Sequence, residues 1–252
     1  MTTLAGLENV EDVYPLTPMQ QGMLFHTLAD STSGVFVNQM SVTLEGALNP
    51  DLFREACSRL IERHPALRTA FLWDGLDQPL QVVRDTVRLD WTEHDWSAYD
   101  DEQRRVMVDD LLGEDRERAF DLADAPLTRM ALIRCTDRTW EWVWTTHHLI
   151  ADGWSLRIML EELFSDYHGD LRRDAATSFR YRDFVALANK SSDEDDEAFW
   201  RATLAGFEQP HRLEVPGLPP VASGHTAHVV KLGTDASGAL AEFARSQRVT
   251  LN

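Results

Sequence analysis

Apolar residues recur along this chain in two rhythms, one of period two and one of 3.6, and the rhythms alternate. Thr17-Pro18-Met19-Gln20 carries a helix start: a capping threonine, proline at the first helical position, and glutamine three residues on to close a capping box. Met19, Met23 and Leu24 then begin an apolar face. Val35 to Leu44 reads as a strand. Asn49-Pro50-Asp51 opens a helix whose Leu52, Phe53, Ala56, Leu60 and Ile61 form a core-facing stripe that stops near His64-Pro65. Thr69 to Leu72 and Leu80 to Val83 pair as strands around the turn signal Asp74-Gly75, and Gln103 to Leu112 is helical. Leu127 to Cys135 and Trp140 to Thr146 are two more strands, the second alternating as a strand with two unlike faces does. Downstream, Leu156, Met159, Leu160, Leu163, Phe164 and Tyr167 return to helical spacing.

Beyond Tyr167 the character changes. Gly169 to Ser178 is polar, short helices are expected at Phe179 to Ala188 and Glu197 to Ala205, and an irregular stretch carries Pro210, Pro216, Pro219 and Pro220. The acidic run Asp193 to Glu197 reads as a solvated loop that caps the next helix. Thr226 to Leu232 is expected as a strand and Asp235 to Gln247 as a helix. Val249 to Asn252 then reads as the opening of a further element. The expected division is a lobe over 12–177, and over 178–252 a crossover with the incomplete start of a second lobe.

Composition narrows the function classes. The 252 residues, 43% of them hydrophobic, can bury a real core. Forty-two acidic against 24 basic residues give a net charge of -18, which repels phosphate backbones and anionic membranes, so neither nucleic acid nor membrane is an expected partner. Met1 to Val10 lacks the basic start and apolar core of a signal peptide, and a cytoplasmic location is expected. Cys57 lies in a helical apolar stripe and Cys135 in an apolar strand, so two buried thiols are expected and no disulfide.

Chemistry concentrates where the tryptophan-rich strand meets the next helix, in Thr145-Thr146-His147-His148-Leu149-Ile150-Ala151-Asp152-Gly153-Trp154-Ser155. Adjacent side chains of a strand point to opposite faces, so His147 and His148 are not expected to share one substrate or one metal ion. His148, nearer the turn, is the candidate base, because an imidazole titrating near neutrality can take a proton from an attacking amine. His147 would face the packed side and hold the backbone. Gly153 supplies a position without a β-carbon where the chain must bend or be approached closely. A buried Asp152 needs a cation, and Arg68, at a helix-to-strand junction in Arg63-His64-Pro65-Ala66-Leu67-Arg68-Thr69-Ala70-Phe71, is the expected partner in an architectural salt bridge.

Plainer readings compete with these. Most lone buried histidines are satisfied core residues, and Trp140 to Trp144 read as core or groove wall. No third ligand stands near the diverging imidazoles, so no metal site is expected. Ser155 is not in a Gly-x-Ser-x-Gly elbow, which argues against serine hydrolysis. Tyr181 and Asp183 read as packing at the lobe crossover.

Four ordered segments together resemble the condensation domains of nonribosomal peptide synthetases. Tyr14 to His26 is similar to the family's opening motif, Arg63 to Phe71 to its second, His147 to Gly153 to its His-His-x-x-x-Asp-Gly motif, and Tyr181 to Phe184 to its fourth, although Leu187 stands where a tryptophan would close that last motif. The histidine motif is shared with chloramphenicol acetyltransferase-like enzymes generally; the other three narrow the family.

The resemblance implies an α/β fold, a chloramphenicol acetyltransferase-like lobe of mixed sheet with flanking helices, followed by the start of a second similar lobe. It implies His148 as the residue promoting amine attack, His147 beside it in the motif, Asp152 as structural, Gly153 near the thioester, and Trp154 and Ser155 at the substrate. The implied reaction joins an aminoacyl thioester's amine to an upstream peptidyl or aminoacyl thioester. The implied partners are an upstream donor and a downstream acceptor peptidyl carrier domain, whose 4'-phosphopantetheine belongs to them, so no cofactor of this chain's own is implied. A carboxy-terminal lobe beyond Asn252 is implied as a further partner, without which this chain alone is expected to be inactive. The opening motif with Gly153-Trp154-Ser155 most resembles the subgroup taking donors that end in a D-residue. An epimerisation domain, or a silent condensation-like platform that recruits a carrier or a tailoring enzyme, is the alternative. The intact histidine motif favours condensation over the platform.

Overall fold

The structure, a computed structural model, describes residues 8–30, 34–170, 180–190, 193–208 and 230–251. It falls into two compact units, Met1–Gln209 and Pro210–Asn252.

In the first unit, the strands β1 (Val10–Pro15), β3 (Thr69–Leu72) and β4 (Leu80–Arg84) form an antiparallel sheet in the order β1-β4-β3. The strands β2 (Val37–Glu45), β5 (Asp90–Asp95), β6 (Thr128–Arg134) and β7 (Thr139–His147) form a second sheet in the order β2-β7-β6-β5. That sheet is mixed, because β5 lies parallel to β6 while β2, β7 and β6 run antiparallel. The helices are α1 (Pro18–Ala29), α2 (Pro50–Arg63), α3 (Asp101–Glu117), α4 (Gly153–Tyr167), α5 (Tyr181–Ala188) and α6 (Asp193–Thr203).

The pattern of the strands decides the layers. On β7, Trp142 and Trp144 turn to one face of the mixed sheet with Met130 and Leu132 of β6, and pack under α2 and α4. The Phe53 ring of α2 stands edge-on to Trp142, 5.2 Å between centroids at 88°. Burying each such large side chain contributes roughly 1.5 to 3 kcal/mol. The intervening Val143, with Ala131 and Ile133, turns to the opposite face, against Leu111 and Leu112 of α3. Ion pairs fasten α2 to α4, Arg59 to Asp166 at 2.9 Å and Arg63 to Glu162 at 3.1 Å.

Behind the sheet, α3 is held by an ion pair whose arginine is buried and whose aspartate is part-buried. Arg129 of β6 reaches Asp115 of α3 through Nε and also donates to the Asp115 and Arg118 carbonyls. Asp115 Oδ2 accepts from Thr145 Oγ1 of β7 and, at 2.8 Å, from Gln39 Nε2 of β2. The Phe120 ring lies 4.1 Å from the Arg129 guanidinium carbon. Burial pushes the Asp115 carboxyl up, but the hydrogen bonds from Thr145 and Arg129 and the guanidinium charge override it and leave it below the usual carboxylate range.

Several expectations change. Strands β1 and β5 carry too little apolar signal to be expected at all. The acidic run at 193–197 is not a loop before a helix but the opening of α6 itself. Val230 to Leu232 is not a strand, and the rest of that expected strand lies outside the described residues. Cys57 is buried, whereas Cys135 is only half-buried; both are free. In the second unit, α7 (Thr234–Gln247) ends on Arg248 in the left-handed region, φ 56°. No helix among the described residues is long and apolar enough to cross a membrane.

Candidate functional site

The mixed sheet delivers the two histidines to different surroundings, as strand alternation requires. His147 ends β7 in register with Val37 of β2 and is buried, 2% exposed. Its ring lies beside Phe36 and Phe120, and its Nδ1 accepts the Leu149 N–H at 3.2 Å. Because Nδ1 accepts, the ring hydrogen sits on Nε2, which faces Thr27 Oγ1 at 3.4 Å. Burial, helped by the neighbouring His148, lowers the His147 pKa from 6.5 to about 4.

This makes His147 a source of acid sensitivity. As pH falls from 6.5 towards 4 the unfolded chain protonates at this residue while the folded chain does not, so its contribution, present above 6.5, is lost through that window. The loss is expected to reach roughly 3 kcal/mol. Urea unfolding at pH 7 and pH 4.5 should show His147→Gln with a flatter pH dependence than the parent; parallel curves would refute the assignment.

His148 is half-buried and lines a cavity of about 470 Å³ in the first unit, with Thr17, Met19 and Gln20 at the start of α1, Gln81 of β4, Asp152 and Ser155 at the start of α4, and Tyr181 of α5. Its Nδ1 stands 3.0 Å from the Ala151 carbonyl, a group that can only accept. Nδ1 therefore carries a hydrogen, and in the neutral ring the lone pair lies on Nε2. As neutral rings the adjacent histidines thus hold opposite tautomers, and among the described residues that line this cavity His148 is the one histidine.

Asp152 and Arg68 are not brought together. Asp152 is exposed and caps α4, its Oδ1 accepting from Ser155 N at 2.8 Å and Ser155 Oγ at 2.6 Å. Those hydrogen bonds hold its carboxyl below the usual range. Asp152 needs no buried cation because it is not buried. Arg68, buried, pairs instead with Glu11 of β1 at 2.7 Å and donates to the carbonyls of Arg84 and Asp85. Glu11 is half-exposed, so Arg68→Ala strands no buried charge and should cost about 1 to 3 kcal/mol, the range for lost hydrogen bonds to buried groups. Urea unfolding of Arg68→Ala and Asp152→Ala checks this: Asp152→Ala should lose only a helix cap, about 1 kcal/mol, and equal large losses would restore the Arg68–Asp152 pairing.

Gly153 begins α4 with no positive φ, and a β-carbon there would meet nothing within 4 Å, so neither bending nor close approach explains it within the described residues. Ser155 lines the cavity. Trp154, 76% exposed, is not among the lining residues.

Sequence reasoning misses Gln20, Gln81 and Tyr181 as cavity residues. The packing expected of Tyr181 is present, since its ring meets Tyr14 and Phe184, yet the residue also faces the cavity. Burial raises its phenol pKa, against a lowering hydrogen bond with Thr17, so it stays protonated. The sequence signals only the helix cap of Gln20 and nothing of its place on the cavity wall. Among the described residues no group of three or more His, Cys, Asp or Glu is placed to hold a metal ion.

The condensation-domain family model matches residues 10–252. The chain is 35% identical to one of the linear gramicidin synthase polypeptides of Brevibacillus parabrevis, over 97% of this chain and 3% of that one. It is 30% identical to bacitracin synthase 1 of Bacillus licheniformis, over 96% of this chain and 5% of that one. The chain thus spans only a small fraction of the curated relatives it matches. Among solved structures, holo-AB3403, a four-domain nonribosomal peptide synthetase bound to AMP and glycine, superposes with a TM-score of 0.78 at 20% identity, over 98% of this chain and 19% of that one. The starter condensation domain of rhizomide synthetase RzmA superposes with a TM-score of 0.65 at 22% identity, over 77% of this chain and 50% of that one. At these identities the likenesses carry the fold, which is the chloramphenicol acetyltransferase-like arrangement of mixed sheet and flanking helices.

Proposed function

Because this chain belongs to the condensation-domain family, we propose that it serves amide bond formation between two carrier-bound substrates in nonribosomal peptide synthesis. The amine of an aminoacyl thioester on a downstream carrier attacks the carbonyl of a peptidyl or aminoacyl thioester on an upstream carrier. An N–C bond forms and the C–S bond breaks. The proton leaving nitrogen passes to His148 Nε2 and from there to the departing thiolate, so no co-reactant is consumed. Both phosphopantetheine arms belong to the carriers.

The observation that carries this reading is the His148 ring, held by Ala151 as the Nδ1–H tautomer on the wall of a cavity large enough for a thioester and an amine. A general base must have its lone pair where the proton is released and must be neutral near the working pH. The buried His147 cannot serve, since its Nδ1 is occupied by the Leu149 amide. Sequence kinship with the gramicidin and bacitracin synthases supports the same reading.

The test uses the natural protein with donor and acceptor carriers loaded separately, and mass analysis of the acceptor carrier after mixing. A mass gain equal to the donor acyl group supports condensation. Inverted stereochemistry at an otherwise unchanged aminoacyl carrier would instead make it an epimerase, and no change in either carrier would leave the recruiting platform.

A further inference from the structure

We propose that Gln20 and Gln81 are positioning residues for His148, forming an amide clasp that fixes the peptide immediately after it. The inference rests on the reading of His148 as the working base. Leu149 follows His148 directly, and its peptide groups are held from two sides. Its N–H donates to His147 Nδ1 at 3.2 Å, and its carbonyl accepts from Gln20 Nε2 at 3.0 Å. Gln20 is itself held by Gln81: each Nε2 donates to the other's Oε1 at 3.0 Å. The second Gln81 amide hydrogen goes to the Pro15 carbonyl, also at 3.0 Å. Every amide hydrogen of the two side chains is used, and both residues are buried. The catalytic turn is thereby tied to the end of β1, the start of α1 and the middle of β4.

Capping alone does not explain Gln20. Its Oε1 closes the box by accepting from the Thr17 N–H at 3.0 Å, and a glutamate would do that equally well. The Nε2 bonds require an amide. A glutamate would set a carboxylate against the Leu149 carbonyl and the Gln81 Oε1, two acceptors. Gln20→Glu therefore keeps the helix cap and the bond accepted from Gln81 Nε2, and removes the two bonds that Gln20 Nε2 donates to Leu149 and Gln81.

The experiment takes the natural protein with Gln20→Glu, Gln81→Met and both together. Single-turnover amide formation from loaded carriers is followed alongside hydrogen exchange of the peptide spanning residues 147–152. Gln20→Glu should slow the chemical step roughly 10- to 100-fold, the scale of a displacement of about 1 Å at a reacting group. The carrier concentration giving half-maximal rate should change by less than about threefold, as for a loss confined to the transition state. Exchange at Leu149 should accelerate. Gln81→Met should give a smaller loss in the same direction, and the double variant should be no slower than Gln20→Glu, because Gln81 acts through Gln20. Unchanged rate with unchanged exchange in both single variants overturns the proposal, as does a double variant whose losses multiply. If the parent protein forms no amide, the functional reading falls, while the exchange at Leu149 still decides whether the clasp holds the turn.

Discussion

Replacing His148 by alanine is expected to slow amide formation between two carrier-loaded substrates by roughly 10²- to 10⁴-fold, the range for a lost general base. The structure makes that expectation specific to one nitrogen. Nδ1 is committed to the Ala151 carbonyl, so the proton must be taken at Nε2. An asparagine at 148 can repeat the Nδ1 hydrogen bond and hold the turn, but has no basic nitrogen. His148→Asn should therefore lose about as much rate as His148→Ala, within the same 10²- to 10⁴-fold range, while melting like the parent. Single-turnover measurement with both carriers saturating separates chemistry from docking. A rate for His148→Asn close to that of the parent would remove proton transfer from the role of His148 and leave positioning.

How much of this is legible in the sequence follows from how locally each feature is determined. The α1 cap is readable because a capping box is built from four consecutive residues, and Thr17 and Gln20 make it as expected. The divergence of the two histidines is readable because strand alternation is a local property. Helix α3 shows in the sequence only over its apolar middle; its charged ends, from the Asp100 cap to Glu117, have no periodic signal. Strand β5, Asp-Trp-Thr-Glu-His-Asp, is an edge strand whose side chains are mostly exposed, so its place is set by the ladder with β6 and not by its own residues.

The error at Arg68 has a different origin. A buried arginine does need a carboxylate, but the chain offers 42 acidic residues and spacing does not choose among them. The choice of Asp152 depends on its being buried. It is instead an exposed helix cap, as a short Asp-x-x-Ser stretch before an apolar helix indicates. The true partner, Glu11, sits on β1, a strand with too little apolar signal to be expected. Gln20 shows the converse: a correct local reading of one side-chain atom conceals what the other atom does at a distance of 129 residues.

Asp115→Ala is expected to destabilise the first unit by about 3 to 5 kcal/mol, the largest stability effect, because it leaves the Arg129 guanidinium buried without its counter-ion. The Arg129 side chain is only 6% exposed, so water cannot replace the lost carboxylate. Thr145 Oγ1 and Gln39 Nε2 lose their acceptor in the same change. Removing both charges should behave differently: Asp115→Leu with Arg129→Met strands no ion and should recover much of the loss, as buried pairs replaced by apolar groups often do. The site should feel Asp115→Ala indirectly, since Thr145 lies two residues before His147 on β7. Acid separates Asp115 from His147 by the pH window in which each titrates. Asp115, held below its usual range, contributes stability that is complete above the unfolded value near 3.9 and disappears only as pH falls through its lower folded value. His147 loses its contribution earlier, between 6.5 and about 4. Urea unfolding followed from pH 7 to below the usual carboxylate range should therefore show two successive losses, with Asp115→Ala reducing only the more acidic one, to which Asp152 also contributes. An Asp115→Ala midpoint equal to the parent's at pH 7 would show that the Arg129–Asp115 pair does not hold α3 to the sheet.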